Sequence, residues 1–252
     1  FIYDSINQYR SDNTVSEGQM TDSGTPTFSA TSTITDHERA SDQNIGTIIS
    51  AVADRDAIEY AVGSSATADA AAVYFTSDDS VSSGTIMTFF IDTDRASLPS
   101  KGTISAVSGA GWATTDLTET TGDKFFTEFN ASVSNVSEIL IGRKLNFEVE
   151  PDVNVQSSID YENSIQRSLG GVEYALNVNQ GQEVITISFQ NISSTFKANL
   201  ITMQDALKGE ATKFLYNDGS SFHWVRLDKP MTFTEIADGR FSTQIVLRQQ
   251  IQ

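Results

Sequence analysis

The sequence predicts a mostly β protein in two folded parts, with one amphipathic helix near its end. Three observations carry this. Ser, Thr, Val, Ile and Phe are plentiful and runs of helix formers scarce, the composition of pleated, half-buried surfaces. Short stretches alternate apolar and polar residues between Gly-, Asp- and Asn-containing turns. One stretch repeats its apolar residues at helical spacing, Phe196, Leu200, Met203 and Leu207.

Taken in order, residues 1–33 are polar, with scattered hydrophobes at Phe1, Ile2, Tyr3, Ile6, Tyr9 and Phe28, too little apolar surface for a core. They read as an extended N-terminal arm with a strand near Phe1–Tyr9, either frayed or docked on a neighbouring subunit. Residues 34–149 read as a β-sandwich or jelly roll. Its strands are Ile58–Val62, broken by Gly63-Ser64-Ser65, then Ala70–Phe75 and Ile86–Ile91. A hairpin or corner at Lys101-Gly102 leads to Thr103–Val107, and Lys124–Phe129 and Val136–Gly142 follow.

Residues 150–252 form the second part, a C-terminal antiparallel β domain. Gly170-Gly171 signals a bend before a strand through Val178, and Val184–Phe189 alternates as a half-buried strand. Ser193 or Ser194 offers a side-chain oxygen to cap a helix near 194–208, and Gly209 supplies a left-handed stop. Lys213–Tyr216, the turn Asn217-Asp218-Gly219-Ser220 and Phe222–Leu227 come next. A hairpin then turns at Ala237-Asp238-Gly239-Arg240.

Composition excludes several classes. There is no cysteine, so disulfides, thiolate metal sites and cysteine catalysis are absent. No apolar run approaches the roughly 18 residues that span a bilayer, so membrane insertion is not expected. The net charge of −17 argues against direct nucleic-acid binding. Residues 1–150 hold 22 acids and 8 bases, a net of −14; residues 151–252 hold 11 and 8, a net of −3. The first part presents a self-repelling surface, and the second tolerates closer packing against neighbours.

Two resemblances add to this reading. The run "ITISFQNIS", the helix, and "KFLYNDGSSFHWVRLDKPMTFTEIADGRFSTQIVLRQQ" resemble the end of distal tail proteins of long-tailed bacteriophages, over about residues 165–250. That resemblance implies a structural virion protein at the tail tip. It would assemble with itself as a ring, a hexamer, joining tail tube, hub, tape measure and receptor-binding protein. "RDAIEYAVGSSATADAAAVYFTSDD" and "KFFTEFNASVSNVSEILIGRKLNF" are similar to the opening and close of galactose-binding-like (discoidin-type) jelly rolls. The departure is Ala61-Val62-Gly63, where the family has Asp-Leu-Gly. A carbohydrate-binding adhesin that recognises a host-surface glycan is therefore the alternative function.

Candidate sites are few. Trp112, in the Gly-rich stretch Ser108–Trp112, is the aromatic that could hold a sugar ring, against the reading that it folds back onto the sandwich edge. Phe214, Tyr216, Phe222, Trp224 and Arg226 are candidates for a subunit interface, where aromatics and Arg are favoured, or else for the domain's own core. His37 and His223 are the only histidines, and no Gly-x-Ser-x-Gly elbow accompanies them, so no enzyme and no cofactor are expected. The carboxylate pairs Asp78-Asp79, Asp92/Asp94 and Glu148/Glu150 lack the spacing of a calcium loop, and a structural calcium ion stays an open alternative.

Overall fold

The computed structural model describes residues 1–3, 14–20, 28–29, 34, 36–42, 45–49, 54–76, 84–92, 98–105, 109–133, 135–151, 155–161, 163–167, 173–177 and 181–250. The chain divides into two compact units, Phe1–Lys144 and Leu145–Ile251. The expected boundary between 149 and 150 thus moves to the end of a strand. That strand runs through Lys144, whose N–H donates to Asp69 Oδ1 at 2.6 Å.

Unit 1 contains β1 (Ile2–Tyr3), β2 (Thr14–Met20), β3 (Phe28–Ser29), a 3-10 turn at His37–Ser41, β4 (Asp56–Phe75), β5 (Thr85–Asp92), β6 (Ser100–Ser105), β7 (Gly111–Phe129) and β8 (Val136–Lys144). Among the described residues the pairings are antiparallel, and two long strands organise them. The first half of β4 pairs with β2 and with the end of β7, and β7 there pairs β5, which pairs β6. The second half of β4 pairs with the start of β7 and with β8, and β8 carries β1. β4 and β7 therefore belong to two sheets, β6-β5-β7-β4-β2-β3 and β7-β4-β8-β1. One apolar cluster fills the space between them, from Ile58, Phe89 and Phe125 on one side to Val73, Phe75, Ile139 and Ile141 on the other. This is the expected β-sandwich.

Three expectations are corrected here. Gly63-Ser64-Ser65 does not end a strand. β4 continues through it, and the register shift between Ala61 and Ala66 marks where the strand passes from one sheet to the other, because bulges bend and twist the chain. Lys101-Gly102 is no corner but lies inside β6, where a Cβ on Gly102 would meet Leu117 Cδ2 at 2.6 Å and the Asp116 carbonyl at 3.0 Å. Within residues 1–33 the stretches described, residues 1–3, 14–20 and 28–29, contain sheet strands rather than a free arm, one of them in the expected stretch Phe1–Tyr9. β1 pairs with Arg143 and Lys144, and β2 runs beside β4 from Thr14 opposite Ala61 to Gln19 opposite Asp56, supplying partners to a backbone edge.

The sheet formed by the first half of β4 is also covered on its outer face. Ala57, Phe90, Leu98 and Phe126 form a second buried cluster there. Glu128 shares that face at 2 % exposure and takes an ion pair from Arg55 Nη1 at 2.6 Å. Phe125 to Phe129 of β7 are therefore buried on both faces.

Unit 2 contains β9 (Gln156–Asp160), β10 (Asn163–Arg167), β11 (Glu173–Asn177), β12 (Gln182–Ser193), α1 (Ser194–Ala206), β13 (Phe214–Asn217), β14 (Phe222–Leu227), β15 (Thr232–Ala237) and β16 (Arg240–Gln249). β13-β14-β16-β12-β9 form one antiparallel sheet, with β15 also on β16, and β10-β11 form a separate ribbon. The glycine pair at 170–171 lies outside the described residues. β9 and β10 carry too few apolar residues to be read from sequence. Arg248 joins three elements, donating to Asp228 at 2.5 Å, Asp160 at 3.0 Å and Gln182 at 3.3 Å.

The helix begins where its cap requires. Ser193 Oγ accepts the Phe196 N–H at 3.0 Å and donates to Glu148 Oε2 at 2.5 Å, which sets a carboxylate at the positive end of the helix dipole. Phe196, Leu200, Met203 and Ala206 are its buried stripe, and Leu207, also buried, follows as the C-cap. Lys208 and Gly209 both take positive φ, and the Gly209 N–H closes on the Gln204 carbonyl at 2.9 Å. Ser193→Ala is expected to lower the stability of this unit by about 1 kcal/mol, read as a lower midpoint in urea with an unchanged slope. Among the described residues no helix is long and apolar enough to cross a membrane.

Candidate functional site

Trp112 is the second residue of β7, directly after Gly111, whose φ of +142° favours glycine. Its register partner on β4 is Tyr74, and the two rings lie 5.2 Å apart, tilted by 60°. Both side chains are half-buried. Trp112 therefore neither enters the core nor stands free: its ring lies against Tyr74 and keeps part of its surface exposed. Alternation puts Thr114 and Asp116 on the same face, followed by Lys144, whose Nζ pairs with Asp116 at 2.6 Å. An aromatic surface flanked by a hydroxyl and an ion pair can take the C–H face of a ring and bond its hydroxyls. Sequence reading found Trp112 and missed Tyr74, because a separation of 38 positions hides the register that brings them together.

The five interface candidates divide. Phe214, Tyr216 and Trp224 are 0 %, 3 % and 4 % exposed, so in this fold they are core residues with almost no surface for a neighbour. Phe222 and Arg226 are half-buried. They remain the two of the five with surface to offer.

His223 is built into the β13–β14 hairpin. Its ring stacks on Tyr216 at 5.9 Å, and Nε2 lies 3.0 Å from Asp218 Oδ2. The other oxygen of Asp218 accepts the Ser220 and Ser221 N–H groups, both at 2.7 Å, while Asn217 Oδ1 accepts the Gly219 N–H at 2.8 Å. Burial pushes the Asp218 carboxyl up, but the bonds from His223 and the two backbone N–H groups outweigh it and hold the carboxyl below its ordinary 3.8. A carboxylate depressed in the folded state stabilises it above the unfolded value, and that contribution is lost as pH falls through the folded value. The hairpin is accordingly expected to loosen below about pH 4, and Asp218→Asn to remove that part of the acid limb. Urea midpoints of the two proteins between about pH 2 and 6 check this.

Among the described residues no group of three His, Asp or Glu side chains could hold a metal ion. Glu148 is engaged with the helix cap. Asp78, Asp79 and Asp94, and the side chain of Asp92, lie outside the described residues. His37 sits in the 3-10 turn, 3.8 Å from Glu38.

No protein-family profile matches the chain, and no curated protein does. Solved structures do. The CBM32 of AlyQ in complex with 4,5-unsaturated mannuronic acid is 19 % identical, covers 41 % of this chain and 83 % of its own, with a TM-score of 0.35. CpGH89CBM32-5 from Clostridium perfringens, in complex with GalNAc-β-1,3-galactose, is 11 % identical over 54 % and 98 %, with a TM-score of 0.36. The family 32 CBM of C. perfringens NanJ, in complex with galactose, is 15 % identical over 54 % and 96 %, with a TM-score of 0.34. At these values the likeness adds nothing to what the strand pairings show by themselves. None of these three is a phage tail protein.

Proposed function

We propose that the chain is a carbohydrate-binding protein, with Trp112 and Tyr74 of the sandwich as the surface on which a sugar ring stacks. The observation that supports it most is the half-buried Trp112 held at a 60° tilt against Tyr74. An aromatic fixed by a neighbour, with part of its face outward, binds at low entropic cost. Thr114 and the Asp116–Lys144 pair supply donors and acceptors beside it. The test is a glycan array followed by calorimetry on the best ligand. Trp112→Ala is expected to weaken binding about thirtyfold, close to the 2 kcal/mol of an aromatic anchor, with circular dichroism unchanged. Equal affinity in the variant would remove the site.

The tail-tip reading keeps one supporting observation. Among the described residues β9 and β15 are each paired along one edge, with Ile159 61 % and Ile236 52 % exposed nearby. Such edges attract a further strand. Ring assembly through them requires a hexamer mass in light scattering. A monomer at every concentration would end that reading for the isolated chain.

A further inference from the structure

Unit 2 holds a cavity of about 460 Å³ that none of the foregoing uses. Phe147, Pro151 and Val155 give it an apolar wall, to which Tyr216 adds the little surface it keeps at 3 % exposure; Glu150, Asn217 and Asp218 give it a polar one. The two rings are 6.4 Å apart and inclined by 32°, and Phe147 is braced from behind by Phe189 at 5.0 Å. The polar wall is equally fixed. Asp218 is held by Ser220, Ser221 and His223, and Asn217 spends its carbonyl on Gly219, which leaves its Nδ2 hydrogens as the end available to a ligand. Tyr216 stays a neutral phenol, since burial first and the Asp218 charge second push it above its ordinary value.

Among the described residues the lining thus has the half-buried Phe147 ring, one amide and two carboxylates, and no Lys or Arg. A volume in the range of small-molecule sites suits a ring better than a single alkyl chain. The aromatic wall takes the ring's C–H face, and the amide takes hydroxyls. Both Asp218 oxygens are already bonded, so Glu150 is the carboxylate that pairs directly with a cation; Glu150 and the Phe147 ring face favour one, and the two negative charges disfavour an acid. We infer that this cavity is a second binding site, for an amino sugar that carries a free ammonium group. It extends saccharide binding to the second unit and shares no residue with the Trp112 surface, so the failure of one leaves the other standing.

The experiment is a titration of the ¹⁵N-labelled full chain at about pH 6, where the amine is protonated, followed by backbone amide shifts and by calorimetry. The probes are glucosamine, N-acetylglucosamine, glucuronic acid and methylamine. Glucosamine is expected to shift amides at 147–151 and 216–223, and to bind about tenfold more tightly than N-acetylglucosamine, the same ring without the charge. Glucuronic acid should leave these amides unmoved, and methylamine should bind more weakly than glucosamine. Glu150→Gln, at an exposed position, should reduce the preference for glucosamine over N-acetylglucosamine about fivefold. Trp112→Ala should leave the glucosamine response intact. Equal affinity for the charged and acetylated sugars, a preference for the uronate, methylamine binding as well as glucosamine, or no shift at these residues would each overturn the assignment.

Discussion

Replacing Phe189 by alanine is expected to destabilise unit 2 by about 3–5 kcal/mol, the range for a large aromatic removed from a packed core. Phe189 is 1 % exposed on β12, and its ring meets Phe196 of the helix at 6.0 Å and Phe147 at 5.0 Å. It joins helix to sheet, so the cavity left by truncation borders two elements that cannot both close on it. For a unit of this size the loss corresponds to a fall in melting temperature of about 12 °C or more. The chain has two tryptophans, Trp112 in unit 1 and Trp224 in unit 2, so Trp224 fluorescence in a Trp112→Phe background reports unit 2 alone. A shift under about 3 °C would mean that α1 is not anchored through this ring.

Phe126→Ala separates two descriptions of the sandwich. If its outer face were wet, truncation there would change stability by no more than about 0.5 kcal/mol, whereas Phe125→Ala, facing the main core, would cost about 3–5. The structure makes both rings fully buried, Phe125 in the inter-sheet core and Phe126 with Ala57, Phe90 and Leu98. Both substitutions are therefore expected to cost about 3–5 kcal/mol, measured as the urea midpoint of unit 1 followed by Trp112. Near-wild-type stability of Phe126→Ala would mean that the second cluster contributes little.

The contrast between these two phenylalanines shows where the sequence was legible. Local signals read correctly: the stripe from Phe196 to Leu207, the cap at Ser193, the turns at Asn217–Ser220 and Asp238-Gly239, and the apolar runs in β5, β7 and β8. Each depends on residues within a turn or two of one another. What was not legible depends on partners far away in sequence. Gly63-Ser64-Ser65 is breaker chemistry, and only the two flanking sheets turn it into a crossing point inside one strand. Residues 1–33 have too few hydrophobes for a core of their own, yet β2 needs only a backbone edge on β4. The sites divide likewise. Trp112 is conspicuous from its glycines, while Tyr74 becomes its neighbour only through strand register. Tyr216 and Trp224 are residue types favoured at interfaces, and those same types fill cores, so composition alone could not separate the two roles.

The two long strands also bear on how the sandwich forms. Thr67 and Thr121, bonded hydroxyl to hydroxyl at 2.7 Å, are 54 residues apart in sequence, and every rung of the β4–β7 ladder closes a loop of tens of residues. Loop closure of that kind must precede the contacts that reward it, so unit 1 is expected to fold slowly, on the millisecond-to-second scale of non-local β topologies. Because each strand serves both sheets, neither sheet can acquire its register alone. The first pairing of β4 with β7 commits both halves of the sandwich together.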